Sequence, residues 1–462
     1  MNDTHRLVQQ LWALCGVLRD DGIAYHQYVD ELSYLLFLKL WLGEQRDGDP
    51  VDGRVWNDLA EGGPDALQIY KKALASLARS EDSGLQLIFQ GAATSLRREE
   101  SLRRLVDGLD ALRLHGRGHQ ALGDLYEGLL QKNAAEKKSG AGQYFTPRPL
   151  VEVLVELIQP RPEEVVSDPA AGTLGFLTCA NAYIQRTSSD GRGLSSESYG
   201  VELVPDTCRV ARMNAHLHGL QGRVLLGDTL AAMGIDLPPS DVILTNPPFG
   251  ARSAPRQAPR DDLQAPTGNK QLAFLQHIMG NLKPGGRAAV VVSDNVLFDQ
   301  NAGLKVRREL MNTCELHTVL RLPTGLFYAP GVQTNVLFFR RAGDGHLGQT
   351  REVWFYDLRT GMPSFGKRNP FTRAHLAPFI SAYGQDRHGL TDRVDEGRDG
   401  RFRRFTRAEV AERDDDLDIT WLPASDAPTG SGDPAAVARE VLAHLDQARE
   451  SIASVIRTLE DD

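Results

Sequence analysis

The chain has 462 residues, enough for two or three domains at about 150 residues per domain. Its 52 Lys and Arg residues and 61 Asp and Glu residues leave a net charge of -9, which argues against a protein that coats nucleic acid by bulk positive charge. A composition with 41% hydrophobic and 24% charged residues is that of a globular protein and excludes collagen-like and wholly disordered chains. A contact with nucleic acid would therefore come from a local patch or from a partner subunit.

The cysteines and the apolar runs indicate which further classes of protein can be excluded. Four cysteines are scattered without a C-x-x-C pair or a Cys/His cluster, so we predict neither a metal site nor a disulfide framework. The N-terminus lacks the apolar core of a signal peptide, and no run approaches the ~18 apolar residues that span a bilayer. These features predict a soluble, cytoplasmic protein that makes no contact with a membrane.

The first part of the chain is predicted to be helical. From residue 7 to about residue 130 the apolar side chains recur at helical spacing, as at Leu32 and Leu36, with few β-branched runs. We therefore expect an all-helical N-terminal domain over residues 1–135. The charged, glycine-containing stretch at residues 133–142 is typical of a linker.

After this stretch, short β-rich segments alternate with helical patterns, as in a doubly wound parallel sheet. Each of the first four β-segments runs directly into a polar residue: Val165-Val166-Ser167 into Asp168, Tyr199-Gly200-Val201 into Glu202, Val224-Leu225-Leu226 into Gly227-Asp228, and Asp241-Val242-Ile243-Leu244 into Thr245-Asn246. Further β-like runs lie at residues 288–293, 318–322, 335–339 and 353–356, and helical patterns at 206–218 and 271–282. We therefore predict a Rossmann-like α/β domain over residues 141–425. Because ligands bind beyond the carboxyl ends of such strands, the polar residues that close the first four should converge on one edge.

The last part of the chain carries two further predictions. Residues 365–418 are rich in Arg, Asp and Gly and poorly periodic, so we expect solvated loops there. Asp433-Pro434 suits the start of a final helix over residues 433–462. Its apolar residues form a heptad seam: Val441, Leu445, Ala448, Ile452, Val455 and Leu459. The seam either folds back on its own domain or packs on another subunit.

Candidate chemistry begins in the turn from Asp168 to Phe176, which closes a strand and opens a helix. Gly172 lets a ligand approach the backbone closely, and the helix N-terminus offers N–H groups. The spacing is not G-x-G-x-x-G, so a dinucleotide fingerprint is not met. Many strand-to-helix turns contain glycine, so this turn alone does not define a site.

Two acidic residues close the following strands. Glu202 stands roughly 30 residues further on, where an acidic side chain in α/β nucleotide sites accepts hydrogen bonds from ribose hydroxyls. Asp228 can accept one from an adenine amino group. Each has an ordinary alternative, an exposed strand-end carboxylate for Glu202 and a turn residue for Asp228. The two acids therefore indicate a binding site only because their strands should end at the same edge of the sheet.

The sequence Asn246-Pro247-Pro248-Phe249 follows the fourth strand and is the most specific element. Two prolines remove two N–H donors and hold the backbone extended, so the amide oxygen of Asn246 and the carbonyl of Pro247 can act as paired acceptors. Acceptors on both hydrogens of an exocyclic amino group would direct its lone pair at an electrophile. Phe249 offers a stacking face for a base removed from its duplex. The alternative is a Pro-rich turn with a buried Phe.

Missing motifs exclude other chemistries. The sequence has no G-x-x-x-x-G-K-[ST] motif of an ATP-driven motor and no G-x-S-x-G elbow. No cysteine follows a proline, which removes the usual nucleophile for carbon methylation of cytosine.

Together these residues resemble the amino-methyltransferases of DNA and, specifically, the modification (M) subunits of type I restriction-modification systems. The resemblance is nearly full length and includes the helical N-terminal part. Its motifs follow in order as Leu122-Gly123-Asp124-Leu125-Tyr126-Glu127, Gln143-Tyr144-Phe145-Thr146-Pro147-Arg148, residues 168–177, residues 246–249, Gly331-Val332-Gln333-Thr334-Asn335-Val336 and Asp416-Leu417-Asp418-Ile419-Thr420-Trp421-Leu422. Such an ordered series is far more specific than any one of its members.

The resemblance implies S-adenosylmethionine as the methyl donor and N6 of adenine in double-stranded DNA as the acceptor. Carried over residue by residue, the catalytic residues that hold the target adenine are Asn246, Pro247, Pro248 and Phe249. The cofactor pocket would be lined by Gln143, Tyr144, Phe145, Thr146, Pro147, Asp168, Ala170, Gly172, Thr173, Gly175, Glu202, Asp228 and Thr229. One departure is Leu174, where many adenine methyltransferases have glycine, and it bears on the backbone path around the methionine end of the cofactor.

The resemblance also implies partner subunits, since no block suited to reading bases follows the methyltransferase core. In type I systems a specificity (S) subunit has this task, commonly in a complex of two M and one S, and the presence of a restriction (R) subunit stays open. The C-terminal seam would then dock on partner helices. The segment 251–270, with Arg252, Arg256, Arg260 and Lys270, is predicted to be a flexible loop that orders on DNA, or else an insertion without a role.

Three other functions stay open on the sequence alone. The chain could act as a stand-alone adenine methyltransferase. It could modify protein or RNA, since related Asn-Pro-Pro-aromatic loops also act on glutamine amides and guanine. It could also be a non-catalytic DNA-binding scaffold.

Overall fold

The computed structural model describes residues 3–42, 51, 54–114, 116, 118–136, 146–250, 260–327, 333–343, 349–363, 365–366 and 369–422. The first part is helical, as predicted: α1 (Asp3–Ala13), α2 (Cys15–Asp20), α3 (Tyr28–Leu42), α4 (Arg54–Glu61), α5 (Ala66–Leu77), α6 (Ser83–Phe89), α7 (Glu99–Ala111) and α8 (His119–Glu136), with a 3-10 turn at Tyr25–Gln27. Because α8 ends at Glu136, the first residues of the predicted linker at 133–142 are helical instead. The remainder of that stretch lies outside the described residues.

The N-terminal helices, α1–α8, bury a common core of leucine and aromatic side chains. Leu32, Leu35 and Leu36 of α3 are almost completely buried. Lys39 follows on the same helix and is buried as well, and its ammonium group pairs with the carboxylate of Asp110 on α7. A buried charge needs such a partner, which explains how the apolar helix tolerates a lysine.

The described residues after 146 form one nine-stranded sheet with helices on both faces, which confirms the predicted Rossmann-like α/β architecture. The strands are β1 (Val166–Asp168), β2 (Tyr199–Glu202), β3 (Arg223–Leu226), β4 (Ser240–Thr245), β5 (Leu282–Ser293), β6 (Cys314–Arg321), β7 (Thr334–Arg341), β8 (Glu352–Asp357) and β9 (Phe402–Thr406). Their spatial order is β3-β2-β1-β4-β5-β7-β6-β8-β9. The helices are α9 (Arg148–Ile158), α10 (Gly175–Thr187), α11 (Pro205–Leu217), α12 (Lys270–Asn281), α13 (Asp294–Phe298), α14 (Ala302–Thr313), α15 (Arg373–Tyr383) and α16 (Arg407–Ala411), with a 3-10 turn at Ala232–Ile235.

The central strands are apolar along their whole length because both of their faces are covered. Val242 and Leu244 of β4 belong to the core formed with α9, α10 and α15. Ile243, between them, belongs to the core formed with α12, α13 and α14. Successive side chains of a strand point to opposite faces, so a strand between two helical layers is buried at every position.

The sheet is mixed, which corrects the predicted parallel sheet. β7 runs antiparallel to its neighbours β5 and β6, and β9 runs antiparallel to β8. The remaining pairs are parallel. A parallel crossover usually requires a helix, and none of the described residues between β6 and β7 is helical. The direct return from β6 to β7 therefore gives an antiparallel pair.

The prediction of solvated loops at residues 365–418 is wrong, because α15, β9 and α16 lie there. Leu376, Phe379 and Tyr383 of α15 are fully buried. In β9 the guanidinium of Arg403 lies over the ring of Phe405, 4.7 Å from its centroid. Arginine side chains can cover aromatic rings in this way while they keep their charge near water, so a charge-rich segment still folds against the sheet.

The N-terminal helices pack directly against α11 of the sheet region. Val210, Met213 and Leu217 of α11 belong to the same buried core as α1–α8. Arg212 of α11 also donates hydrogen bonds to the carbonyl oxygens of Leu87, at 3.1 Å, and Val224, at 3.3 Å. This helix therefore links the N-terminal helices to β3 at the edge of the sheet.

Two further predictions concern the C-terminal helix and membrane spans. The heptad helix predicted at residues 433–462 lies outside the described residues. None of the helices that the structure describes combines the length and the apolar character required to span a membrane.

Candidate active site

The polar residues that close β1, β2 and β4 meet at one edge of the sheet, as predicted. β1 lies between β2 and β4 and pairs in parallel with both, with Asp168 opposite Gly200 and Ser167 opposite Ile243. The carboxyl ends of the three strands therefore point the same way, and they bring Asp168, Glu202 and Asn246 to adjacent positions.

The turn after β1 leaves room for a ligand next to its backbone. Oδ1 of Asp168 accepts a hydrogen bond from the N–H of Ala170 at 3.0 Å. Gly172 has a φ of +53°, and nothing lies within 4 Å of the place where a Cβ would stand. Only glycine adopts such a backbone without strain, so the turn can approach a bound molecule closely.

Leu174, the departure from the family pattern, adopts the backbone that its position requires. Its φ is +77° and its ψ is +19°, in the left-handed region, which costs an L-residue about 1–2 kcal/mol. Its side chain is fully buried. A Cβ on Gly200 would stand 2.8 Å from Cδ1 of Leu174, so Leu174 packs over the bare backbone of β2. Leu174 thus adopts a backbone conformation that glycine reaches without strain, and burial of the leucine side chain offsets the cost.

Glu202 ties the end of β2 to this turn. Its Oε2 accepts a hydrogen bond from the N–H of Gly172 at 3.0 Å, and its Oε1 accepts one from the N–H of Val204 at 2.7 Å. Burial raises the pKa of Glu202, although these two N–H groups oppose the rise. The remaining lone pairs of a carboxylate held in this way can accept hydrogen bonds from ligand hydroxyls.

Asp168 is the most deeply buried carboxyl group at this edge. Burial raises its pKa to about 7, against the lowering effects of the Thr245 side chain and the Ala170 N–H. A buried carboxyl group that is this hard to ionise favours a ligand that brings a positive charge or hydrogen-bond donors.

The predicted residues of the third strand end lie at the same edge. Oδ1 of Asp228 accepts a hydrogen bond from the N–H of Leu230 at 2.8 Å, and the hydroxyl of Thr229 donates one to the carbonyl of Pro169 at 2.6 Å. Two leucines beside the acids are unusually exposed, Leu203 by 61% and Leu226 by 46%. They offer apolar surface next to Glu202 and Asp228.

The start of α9 meets the loop after β4. Nδ2 of Asn246 donates a hydrogen bond to Oγ1 of Thr146 at 3.0 Å, and Pro147 is the N-cap residue of α9. The predicted pocket residues Gln143, Tyr144 and Phe145 lie outside the described residues. Of the first motif, the structure thus places Thr146 against the loop at residues 246–249.

Two later residues of this loop, Pro247 and Phe249, contact residues outside it. The carbonyl of Pro247 accepts a hydrogen bond from Nε2 of Gln271 at 3.3 Å. The half-buried ring of Phe249 contacts Phe327 edge to face, with ring centroids 6.0 Å apart. Phe249 therefore stands beside a second aromatic ring, which can support a stacked base.

The last two predicted pocket residues, Thr173 and Gly175, lie between β1 and α10. The carbonyl of Thr173 accepts a hydrogen bond from Nδ2 of Asn214, a buried residue of α11, at 2.8 Å. Gly175 is the first residue of α10. Because α11 also packs against the N-terminal helices, the side chain of Asn214 connects the turn after β1 to the helix that contacts them.

The two later motifs of the resemblance form ion-pair networks. Nδ2 of Asn335 donates to Oδ1 of Asp294 at 2.7 Å, and the same carboxylate accepts both terminal nitrogens of Arg359 at 2.8 and 2.9 Å. Asp418 accepts a hydrogen bond from Arg321 at 2.7 Å. The first network joins β7 and the segment after β8 to Asp294, the residue that follows β5, and so connects the ends of these strands.

The predicted DNA-ordered loop at 251–270 is wrong for Arg260. This residue is buried, and its guanidinium donates to the carbonyl of Thr229 at 2.8 Å and contacts Nδ1 of His277 at 2.9 Å. Its other nitrogens pair with Asp262. Arg252 and Arg256 lie outside the described residues, whereas Lys270 begins α12.

Sequence reasoning missed three residues that contact the site: Gln271, Asn214 and Phe327. Each is an unremarkable residue of a helix or loop when considered alone. The one available signal was a polar side chain on a helix that is otherwise apolar, as at Gln271, because buried polar groups need hydrogen-bond partners.

The fold and this edge together define a class. A Rossmann-like sheet with carboxyl groups at the ends of its first three strands and an Asn-Pro-Pro-Phe loop after the fourth is the arrangement of a methyltransferase that acts on amino groups.

The comparisons with known proteins give the particular family. The model of the N-6 DNA methylase family matches residues 117–425, and the chain belongs to this family. It is 43% identical to the type I restriction enzyme StySPI methylase subunit of Salmonella potsdam and 43% identical to the type I restriction enzyme EcoKI methylase subunit of Escherichia coli strain K12. Each alignment covers 98% of this chain and 95% of the relative.

A solved structure agrees with this assignment. The crystal structure of the type I restriction enzyme EcoKI M protein matches 98% of this chain and 96% of its own, with a TM-score of 0.57 and 37% sequence identity. The chain is accordingly a DNA adenine methyltransferase of the type I methylase-subunit group.

Proposed function

We propose that Asn246, Pro247, Pro248 and Phe249 hold an adenine flipped out of double-stranded DNA while its N6 is methylated from S-adenosylmethionine. The observation that carries this proposal is the hydrogen bond from Nδ2 of Asn246 to Thr146. In this contact the amide nitrogen faces Thr146 and Oδ1 faces away from it, as an acceptor beside the Pro247 carbonyl requires.

The residues at the strand ends fit S-adenosylmethionine. The carboxylate of Glu202 suits the ribose hydroxyls, Asp228 suits the adenine amino group, and the exposed Leu203 and Leu226 suit the two faces of the adenine ring. The open backbone at Gly172 suits the methionine end. When bound, S-adenosylmethionine supplies an electrophilic methyl group on a positively charged sulfur. The remaining pocket residues proposed are Gln143, Tyr144, Phe145, Thr146, Pro147, Asp168, Ala170, Thr173, Gly175 and Thr229.

The protein's own contribution is orientation and the exclusion of water. Oδ1 of Asn246 and the carbonyl of Pro247 each accept one N–H of the adenine amino group, so its lone pair points toward the cofactor. Phe249 stacks on the base. The new C–N bond would form as the methyl–sulfur bond breaks, N6 would then lose its proton to solvent, and no side chain forms a covalent intermediate.

We further propose that the chain works in a complex. A specificity subunit would read the DNA sequence, with a second copy of this chain and, as an open addition, a restriction subunit. The helical part would occupy residues 1–135, the catalytic part residues 141–425, and the seam at 433–462 would dock on helices of the specificity subunit. Deleting the residues after Pro434 should then abolish co-purification of the specificity subunit, and its retention would refute the docking.

The catalytic proposal is tested with Asn246→Ala. The tagged chain is purified from its host together with the subunits that accompany it, and transfer of labelled methyl groups to unmethylated host DNA is measured. The variant should lose at least about 100-fold in rate, with S-adenosylmethionine still bound. Asn301→Ala, at an exposed helix N-cap, serves as the matched control and should keep its activity. An Asn246→Ala complex that methylates DNA normally would refute the proposal.

A further inference from the structure

Gln271 connects the catalytic loop to the neighbouring strand β5. Its side chain is 1% exposed. Nε2 donates to the carbonyl of Pro247 at 3.3 Å, and Oε1 accepts from both the backbone N–H and the hydroxyl of Ser293, at 2.9 and 2.7 Å. One amide group therefore joins the end of β4 to the end of β5.

The orientation of this amide is determined by its partners. The backbone nitrogen of Ser293 can only donate, so the Gln271 atom that faces it must be the oxygen. The nitrogen of the same amide then faces Pro247, whose carbonyl oxygen can only accept. The chemistry of both partners thus agrees on a single orientation.

The catalytic loop requires a donor from outside its own backbone. Neither Pro247 nor Pro248 has an N–H group, so neither residue can donate a backbone hydrogen bond that would hold the loop in place. A carbonyl oxygen has two lone pairs. A donor on one of them holds the direction of the carbonyl and leaves the other for a second hydrogen atom.

The backbone of Gln271 is also held firmly. Oδ1 of Asn269 caps α12 by accepting hydrogen bonds from the N–H groups of Gln271, at 2.9 Å, and Leu272, at 3.3 Å. The N–H of Lys270 donates to the carbonyl of Gly250 at 3.1 Å, directly after Phe249. The helix start that carries Gln271 is therefore attached to the loop that its side chain contacts.

We infer that Gln271 is a positioning residue for methyl transfer. It directs the Pro247 carbonyl so that the second lone pair of this oxygen meets an N–H of the target adenine. The inference rests on the proposed function of Asn246 and Pro247. Gln271 acts through Pro247 and needs no contact with DNA or with the cofactor.

Gln276 provides a matched control on the same helix. It is 6% exposed, and its side-chain amide also bonds backbone groups of a loop, accepting from the N–H of Ala265 at 2.8 Å and donating to its carbonyl at 3.0 Å. Gln271→Met and Gln276→Met remove equivalent buried amides, but only the first removes the donor to Pro247.

The experiment uses the complex purified from its host with each tagged variant. The single-turnover rate of methyl transfer to unmethylated host DNA is measured at saturating S-adenosylmethionine, together with cofactor affinity. Gln271→Met should lower the rate by about 10- to 100-fold, because a misdirected Pro247 carbonyl no longer orients the adenine amino group for methyl transfer. Cofactor affinity should stay near wild type. Gln276→Met should retain most of the rate. Equal losses of rate and cofactor affinity in both variants would overturn the inference in favour of a packing role.

Gln271→Glu adds a readout that packing alone would not change. Its second carboxyl oxygen faces the Pro247 carbonyl, repels it when ionised and donates to it when protonated. The rate of this variant relative to wild type should therefore increase as the pH is lowered. A ratio that does not change with pH would overturn the inference.

Asn246→Ala in the same preparation separates the two proposals. If Asn246→Ala methylates DNA, the proposed function fails and the inference with it. If Asn246→Ala is inactive while Gln271→Met transfers methyl groups at the wild-type rate, only the inference on Gln271 is overturned.

Discussion

Thr146 and Asn246, 100 positions apart in the sequence, are joined by a hydrogen bond of 3.0 Å from the Asn246 amide to the Thr146 hydroxyl oxygen. Thr146 belongs to the first motif and lies directly before Pro147, the N-cap residue of α9, and Asn246 follows β4. In this contact the amide nitrogen faces Thr146 and Oδ1 faces away from it. The first motif therefore contacts the loop that we propose to hold the target adenine, in addition to the cofactor contact that the sequence predicts.

Replacing Thr146 tests this positioning role. Thr146→Val removes the hydroxyl at nearly constant shape and should lower the rate at saturating cofactor by about tenfold, whereas Thr146→Ser keeps the hydroxyl and should stay close to wild type. Single-turnover methylation and cofactor affinity are measured side by side. A loss of affinity with an unchanged rate would assign Thr146 to the cofactor alone.

At Leu174 the glycine variant should be more stable than the alanine variant, which reverses the usual order in a helix. In an ordinary helix glycine is less stable than alanine by about 0.5–1 kcal/mol. At Leu174 both substitutions remove the same buried side chain, at a cost of about 2–5 kcal/mol for the change to alanine, but only glycine also relieves the strain of the positive φ. Leu174→Ala should therefore unfold more readily than Leu174→Gly, by about 1 kcal/mol. Denaturant unfolding of the two variants gives the order, and the usual order would contradict this account.

Arg260 should not contribute to the salt dependence of DNA binding. Its guanidinium is buried against the Thr229 carbonyl, His277 and Asp262, so no phosphate can reach it without unfolding of the segment. Arg260→Met should lower stability by about 1–3 kcal/mol through lost buried hydrogen bonds and leave the slope of log K against log salt unchanged. Lys270→Met is the comparison, since loss of a phosphate contact would reduce that slope by about one. A reduced slope in Arg260→Met would contradict its structural role.

Glu31 should make stability depend on pH. Burial raises the pKa of Glu31 to about 7, although the N–H of Ser95 and the hydroxyl of Thr94 oppose the rise. Between about pH 4.5 and 7 the folded state holds a proton that the unfolded state has lost. The contribution is therefore fully present below about pH 4.5 and lost as the pH rises through 7, by up to about 3 kcal/mol.

Glu31→Gln tests this dependence, because glutamine keeps an acceptor for Ser95 and carries no charge. Unfolding is followed at pH 5 and pH 7.5 in wild type and variant. The wild type should lose more stability between the two values than the variant does. Equal losses would show that Glu31 does not cause the dependence.

The strand ends that form the site were predictable because each signal is local. A short apolar run that ends in Asp168, Glu202 or Asn246 predicts a buried strand followed by a polar residue, and parallel strands bring such ends to one edge. The role of Gln271 and the burial of Arg260 were not predictable, because each depends on which backbone carbonyl lies next to the side chain. The helices and the strand within residues 365–418 were not predictable for the same reason, because their apolar side chains pack against distant segments of the chain.

By itself the sequence determined the alternation of strands and helices and, through the ordered motifs, the family, and it predicts the chemistry of the Asn246-Pro247-Pro248-Phe249 loop. These properties depend on the identity and spacing of neighbouring residues. Only the tertiary structure decided the antiparallel insertion of β7, the contact of Thr146 with Asn246 and the support of Pro247 by Gln271, 24 positions away. A hydrogen bond between distant segments depends on strand order and direction, and no local periodicity encodes these.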